Sequence, residues 1–209
     1  IDEWLTYASP ESLSYFMYQK PKTAKRLYFD VIPKAVDEYH QQLRAFDTQD
    51  LESKATNPIF HIHGNTAPKS DMVVPFSMLL NLAAVANAEN KDQLWGFIKR
   101  YAQDASPENN PQLDQAASFA VSYYNDFVKP QKVYRLPNST EREALTDLCN
   151  KLSEFKGDRD AEELQSIVFA CGREKFDPLR DWFKALYEVL LGASQGPRFG
   201  GFIALYGIE

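Results

Sequence analysis

Cysteine and histidine are almost missing from this chain of 209 residues, which holds two of the first, Cys149 and Cys171, and three of the second. The two cysteines lie in helix-like segments without CxxC spacing, which argues against a zinc knuckle or a disulfide framework. They read as two buried thiols of a reducing cytosol. Long apolar runs are absent too: no window approaches the roughly 18 to 20 consecutive apolar residues that a membrane span requires. The opening IDEWLTYASP has no basic stretch followed by an apolar one, so neither a membrane nor a secreted form is expected, and the expected location is cytoplasmic. There is no G-x-G-x-x-G and no Walker-type loop to cradle a phosphate. Positive charge is in the minority, 23 Lys and Arg against 29 Asp and Glu. A formal net charge of -6 argues against a sequence-blind nucleic-acid coat, which rests on broad phosphate neutralisation. The cations that exist are clustered. Lys20, Lys22, Lys25 and Arg26 have no acid among them, and neither have Lys129, Lys132 and Arg135. Charge alone reads such runs as solvated loops, with local phosphate contact as the competing role.

What is present is core material, 44% hydrophobic and 13% aromatic residues, arranged in helical patterns. Ser9-Pro10-Glu11 places a capping residue before a first-turn proline, and Leu13, Tyr15, Phe16 and Met17 follow. Ala35, Val36, Tyr39, Leu43 and Phe46 recur at helical spacing and predict a second amphipathic helix. The stretch 48–74 is polar, carries Pro58, Gly64 and Pro68, and reads as a long connector with one β-like run, Ile59 to His63. Helical patterns return in PFSMLLNLAAVAN, KDQLWGFIKRYAQ and LDQAASFAVSYYNDFV, where Trp95, Tyr123 and Tyr124 fall on apolar positions and are assigned to the core. Lys129-Pro130 closes this block. After Pro137, Thr140 with Glu143 and Asp160 with Glu163 have capping-box spacing, and Asp177-Pro178 repeats the cap-plus-proline signal. Gly192 is a helix stop, and Gly196-Pro197-Arg198 restarts a final helix through FIALYG. The expectation is an all-α helical bundle of about nine or ten helices.

His61-Ile62-His63-Gly64 imitates a HIGH signature, but NTAPKSD follows and no amphipathic helix begins there, so it is not read as catalytic. Two histidines spaced by one would share a side of a strand, yet only His40 could add to them, so no metal site is expected.

Three stretches together resemble class I lysyl-tRNA synthetases. The opening IDEWLTYASPESLSYFMYQKPKTAKRLYFD is similar to the segment after that family's KMSKS loop, FHIHGNTAPKSDMVVPFSMLLNLAAVAN to its central helical region, and GPRFGGFIALYG to its C-terminal helix. The resemblance covers essentially the whole chain. It implies a helical, α-helix-cage type of anticodon-binding portion, in which residues 1–50 form stem-contact and linker helices, 51–136 a first helical block and 137–209 a second that ends in the anticodon-reading helix. It also implies that ATP, Mg and lysine are bound by an N-terminal Rossmann domain with HIGH-type and KMSKS signatures, so this chain by itself needs no cofactor and forms no lysyl-adenylate. The implied partners are lysine tRNA and that catalytic domain.

The end of the chain also resembles the anticodon-binding domain of bacterial glutamyl-tRNA synthetases, which shares a Pro-Leu-Arg element and a proline at the start of the final helix, here Pro178-Leu179-Arg180 and Gly196-Pro197-Arg198-Phe199. Carried over by position, the resemblance implies anticodon contacts at Arg180, Gly196, Pro197 and Phe199; Arg198 and Trp182 are added for their chemistry. Lysine anticodons are single-stranded and uridine-rich, and splayed bases are read by stacking on aromatic or guanidinium planes and by hydrogen bonds to their edges. Core packing competes with stacking for both aromatic residues. A helix starting at Pro197 would also present free N–H groups to phosphate or base carbonyl oxygens. Lys20, Lys22, Lys25 and Arg26 are assigned to the tRNA backbone, where they position without specifying. Two alternatives compete: the C-terminal half of a glutamyl- or glutaminyl-type synthetase, and a helical protein-interaction module with no RNA.

Overall fold

The computed structural model describes residues 1–157 and 160–207. Among the described residues there is no strand, and twelve α-helices follow one another: α1 Asp2–Leu5, α2 Pro10–Tyr18, α3 Ile32–Thr48, α4 Leu51–Thr56, α5 Pro58–His63, α6 Phe76–Ala86, α7 Lys91–Tyr101, α8 Pro111–Tyr123, α9 Ser139–Glu154, α10 Ala161–Arg173, α11 Arg180–Leu186 and α12 Phe199–Tyr206. α8 and α11 each run on into a π-helical turn, Tyr124–Val128 and Tyr187–Leu191. No helix is long and apolar enough to cross a membrane among the described residues.

The helices gather into two compact units, one of residues 1–80 and 105–123, the other of 81–104 and 124–209. This division interleaves along the chain. In the first unit, α2, α3 and α5 enclose Tyr15, Tyr39, Leu43, Phe46 and Ile59. The apolar stripe of α3 is the one its spacing foretells, with Ala35, Val36, Tyr39, Leu43 and Phe46 all buried. Ser9 caps α2 by accepting from Ser12 N at 3.3 Å, with Pro10 in the first turn.

The connector expected over 48–74 is corrected: it contains two short helices. Asp50 accepts from Ser53 N at 2.8 Å to start α4, and Asn57 accepts from Ile59 N at 2.9 Å to start α5, whose first residue is Pro58. The β-like run 59–63 is therefore helical, because an Asn cap and a first-turn proline outweigh a weak strand propensity.

The core of the second unit forms where α10 packs on α9, α11 and α12, around Leu148, Leu164, Val168, Trp182, Leu186, Phe199 and Ile203. Trp182 is fully buried, and its indole N–H donates to Val168 O at 2.9 Å. The cap of α9 lies two residues earlier than expected: Asn138 accepts from Glu141 N at 2.9 Å while Glu141 Oε2 accepts from Asn138 N at 2.8 Å, a reciprocal box that Thr140 and Glu143 do not make. Asp160 does cap α10, accepting from Glu162 and Glu163 N. Asp177 does not cap α11. It stands three residues ahead of the first helical residue, across a cis bond to Pro178, and α11 starts without a side-chain cap. Gly192 stops the preceding helix in a left-handed conformation, φ 65°. The last helix begins at Phe199, with Pro197 lying ahead of the cap residue Arg198. Cys171 is buried but Cys149 is exposed, so the expectation of two buried thiols holds for one of them.

Candidate nucleic-acid interface

α11 turns Trp182, Ala185 and Leu186 into the core, and this fixes what its other side shows. Arg180 and Lys184 are exposed, spaced one helical turn apart, and Tyr187 continues the same stripe. Together with Asp181, Phe183 and Ser194 they line an open hollow of about 410 Å³. The Arg180 side chain is 86% exposed and its Nε lies 3.8 Å from Asp181 Oδ1, a loose surface pair that a better acceptor displaces at small cost. Lys184 Nζ lies 3.6 Å from Glu188 Oε1, in a pair whose lysine is exposed and whose carboxylate is half-buried.

Tyr187 joins this hollow to the segment before α12. Its hydroxyl donates to Pro197 O at 3.0 Å, and its ring stacks on Phe199 at 5.3 Å; burial holds the hydroxyl above its ordinary pKa, so it stays a donor. A Cβ on Gly196 would stand 2.7 Å from Tyr187 Cδ1, so the absence of a side chain there lets the backbone lie against the ring. Gly196 and Arg198 are exposed and Pro197 is buried. The Arg198 guanidinium forms two parallel bonds to Glu162, at 2.7 and 2.6 Å, with both side chains largely exposed. Of the residues singled out in the sequence, Arg180, Gly196, Pro197 and Arg198 thus surround or adjoin Tyr187 or its contacts. Tyr187 and Lys184 are the members sequence reasoning missed, although spacings of four and seven from Arg180 mark them as neighbours on one helical stripe.

Two aromatic candidates lie in the core. Trp182 is 0% and Phe199 3% exposed, so neither has a ring face for a base. They belong to the core because helices that present Arg180 and Arg198 outward must bury their opposite faces. Nor does the start of α12 offer a free amide at Gly200, because that N–H donates to Gln165 Oε1 at 2.8 Å in a buried bond.

Of the N-terminal cations, Lys20, Lys22 and Arg26 are exposed and make no ion pair among the described residues. Lys25 is different. Its Nζ donates to Phe16 O and, at 3.0 Å, to Met17 O, and sits 4.9 Å from the centre of the Phe16 ring, closing the last turn of α2. Burial, and then the neighbouring Lys20, lower its pKa. The second cluster is also largely committed. Lys132 donates to Ala84 O and lies over the rings of Tyr124 and Tyr134. Arg135 binds both oxygens of Glu141, at 2.7 and 2.8 Å, and Glu188 Oε2 at 2.6 Å, which raises its already high pKa further.

The histidines sit on helices and not on a strand, which separates two residues spaced by one to different sides. His63 Nε2 meets Tyr39 Oη at 2.9 Å and His61 stacks on Tyr18 at 4.9 Å. Buried His40 meets Ser70 Oγ at 3.1 Å through Nδ1, and burial together with nearby Arg44 lowers its pKa to about 4. Among the described residues no group of three or more His, Cys, Asp or Glu is placed to hold a metal ion.

Residues 1–66 match the family model described as tRNA synthetases class I (K). A lysine–tRNA ligase of Roseobacter denitrificans is 72% identical over 209 residues, which is all of this chain and 40% of that protein. One from Rickettsia conorii is 45% identical over 212 residues, covering 100% of this chain and 41% of the relative. One from Rickettsia felis is 44% identical with 40% of its length covered. The chain spans about 40% of the length of the relatives it matches. Identity of this order runs from one end of the chain to the other, so the chain is similar throughout to the C-terminal part of lysine–tRNA ligases, and its residues 1–66 to the class I tRNA synthetases (K).

Proposed function

We propose that this chain is the tRNA-binding part of an ATP-dependent lysine–tRNA ligase, and that the surface formed by Arg180, Lys184, Tyr187 and the Gly196-Pro197-Arg198 segment reads the anticodon loop. The observation that carries this is the end-to-end identity with lysine–tRNA ligases. The exposed geometry supports it. Unpaired bases need a guanidinium plane or hydrogen-bonding edge that is not already buried, and Arg180 supplies one beside a hollow large enough to receive a base. Arg198 reaches the same role by exchanging the Glu162 carboxylate for a phosphate or base edge, at little cost for so exposed a pair. Trp182 and Phe199 act beneath, holding α11 and α12 in place. Lys20, Lys22 and Arg26 hold phosphates without specifying sequence. Activation of lysine with ATP and Mg, in this reading, is the work of the enzyme's N-terminal catalytic domain, acting in the cytoplasm.

Filter binding of lysine tRNA and of anticodon variants tests the proposal. Arg180→Ala is expected to weaken lysine tRNA by about 5- to 150-fold, the worth of one base contact, and to weaken the anticodon variants much less. Equal losses on cognate and variant tRNAs would remove Arg180 from the anticodon-reading set.

A further inference from the structure

The aromatic contacts of the second unit continue beyond Tyr187 and Phe199. Phe199 meets Phe202 edge-on at 6.4 Å, Phe202 stacks on Tyr206 at 5.5 Å and 18°, and Tyr206 stacks on Phe97 of α7 at 5.0 Å and 15°. The row ends at a second hollow of about 440 Å³, lined by Val85, Gln93, Gly96, Phe97, Arg100 and Tyr206 with Ala86. This is within the range of small-molecule clefts, about 300–1,000 Å³. Among the described residues no carboxylate lines it, in a chain whose net charge is -6. Arg100 makes no ion pair among the described residues and lies 5.8 Å from the centre of the Phe97 ring. Gln93 Oε1 is taken by Glu89 N at 2.9 Å, and its amide nitrogen makes no bond among the described residues. Gly96 leaves the wall open: nothing lies within 4 Å of the place a Cβ would occupy.

We propose that this hollow takes a second unpaired nucleobase of the bound RNA, packed against Tyr206 and Phe97, with the Arg100 guanidinium on the base or on its phosphate. The inference rests on the RNA-binding reading given above. A flat ring with an attached anion is the group that a hollow of aromatic side chains and one guanidinium without an ion pair among the described residues suits, because stacking accepts any base face and the cation answers the phosphate. Phe199 and Tyr206 are seven residues apart on α12, about 10 Å along its axis. Phe199 and Phe202 between them are buried, so the row of rings ties the two hollows to one core and offers an RNA strand only its two ends, at Tyr187 and at Tyr206.

Gly96→Leu fills the hollow from a position where the added side chain meets open space, and Arg100→Ala removes the cation; Arg180→Ala serves as reference. With the 209-residue chain and lysine tRNA, Gly96→Leu and Arg100→Ala are each expected to weaken binding on the order of 10-fold. Chemical probing of the bound tRNA is expected to show one unpaired nucleotide newly exposed, different from any exposed by Arg180→Ala. The thermal midpoint of Gly96→Leu stays at or above that of the parent, which separates a filled site from a damaged fold. Unchanged affinity and unchanged protection in both variants would overturn the second site while leaving the RNA-binding reading intact. Failure of the parent chain to bind lysine tRNA would overturn both. Mononucleotide that binds the parent but not Gly96→Leu, without any change in tRNA affinity, would assign the hollow to a free nucleotide and overturn its role in RNA binding.

Discussion

Gly200→Ala adds a single methyl group where the start of α12 crosses α10. An ideal Cβ at this position stands 2.1 Å from the backbone oxygen of Ala161, 2.6 Å from Gln165 Cβ and 2.6 Å from Gln165 N. Backbone atoms have no rotamer to escape into, so the two helices must separate by about 1 Å. A gap of that size forfeits roughly a quarter to a half of the dispersion energy of the facing contacts. Separation also stretches the buried bond from Gly200 N to Gln165 Oε1, now 2.8 Å. Overpacking costs about 1–3 kcal/mol and a buried amide left short of its acceptor about 1–3 kcal/mol, while replacing a helical glycine returns up to about 1 kcal/mol. The expected net loss is about 2–4 kcal/mol, a large part of the stability of an ordinary domain. Gly96→Ala is the matched control: the same chemical change, in open space, is expected to stabilise by about 0.5–1 kcal/mol. Urea unfolding followed by far-UV circular dichroism measures both. If Gly200→Ala unfolds within about 0.5 kcal/mol of the parent, the close approach of α10 and α12 is wrong, and with it the support proposed for the Arg198 segment.

The pH dependence of stability should carry the mark of His40. Its folded pKa of about 4 lies below the ordinary 6.5, so the unfolded chain binds the extra proton, and stability present near pH 7 is lost as pH falls through that window, by about 2 kcal/mol at pH 5. His40→Gln is expected to flatten that part of the profile in denaturant titrations, and a parallel profile would remove His40 as its source. Of the two thiols, exposed Cys149 should react with a thiol reagent in the native protein. Cys171, whose thiol burial pushes up to about 11, should react only on unfolding. Two fast native thiols would contradict the packing around α10. Lys22→Ala should weaken all tRNAs about equally and flatten the log-affinity against log-salt slope by nearly one unit. Lys25→Ala should instead lower the thermal midpoint with little change in slope, and a slope change equal to that of Lys22→Ala would place Lys25 on a phosphate.

Where the sequence was informative, one residue type at one spacing decided the matter. The stripe of α3 is readable because its apolar positions recur over four turns with no competing signal. α4 and α5 are hidden because six residues are too few to show a helical period, and because Ile59 and Ile62 carry a strand propensity that the Asn57 cap overrides. The cap of α9 was misplaced since Asn138-Glu141 and Thr140-Glu143 both satisfy the box spacing, and only geometry chooses between them. At the candidate interface the cations Arg180 and Arg198 are exposed as their chemistry suggests. Aromatic residues are less legible. Trp182 and Tyr187 look alike as stacking candidates in a string of letters, and it is the facing of α11 that sends one to the core and the other to the rim of a hollow.

Three of the described helices, α6, α8 and α12, have their first turns closed from far along the sequence. Asp37 accepts from Phe76 and Ser77 N at the start of α6, Asp71 from Gln112 and Leu113 N at the start of α8, and Gln165 from Gly200 N at the start of α12. Pro75, ahead of α6, has no side-chain acceptor, and Arg198, ahead of α12, makes no capping bond. Such a bond forms only after the donor helix and the distant acceptor have met, so it adds nothing to a nascent helix in the unfolded chain. α9 and α10, whose caps are built from adjacent residues, can persist transiently before any docking. The order of assembly is thereby biased: the start of α12 is completed by an amide oxygen of α10, so α12 and the Arg198 segment ahead of it are expected to take shape after α10.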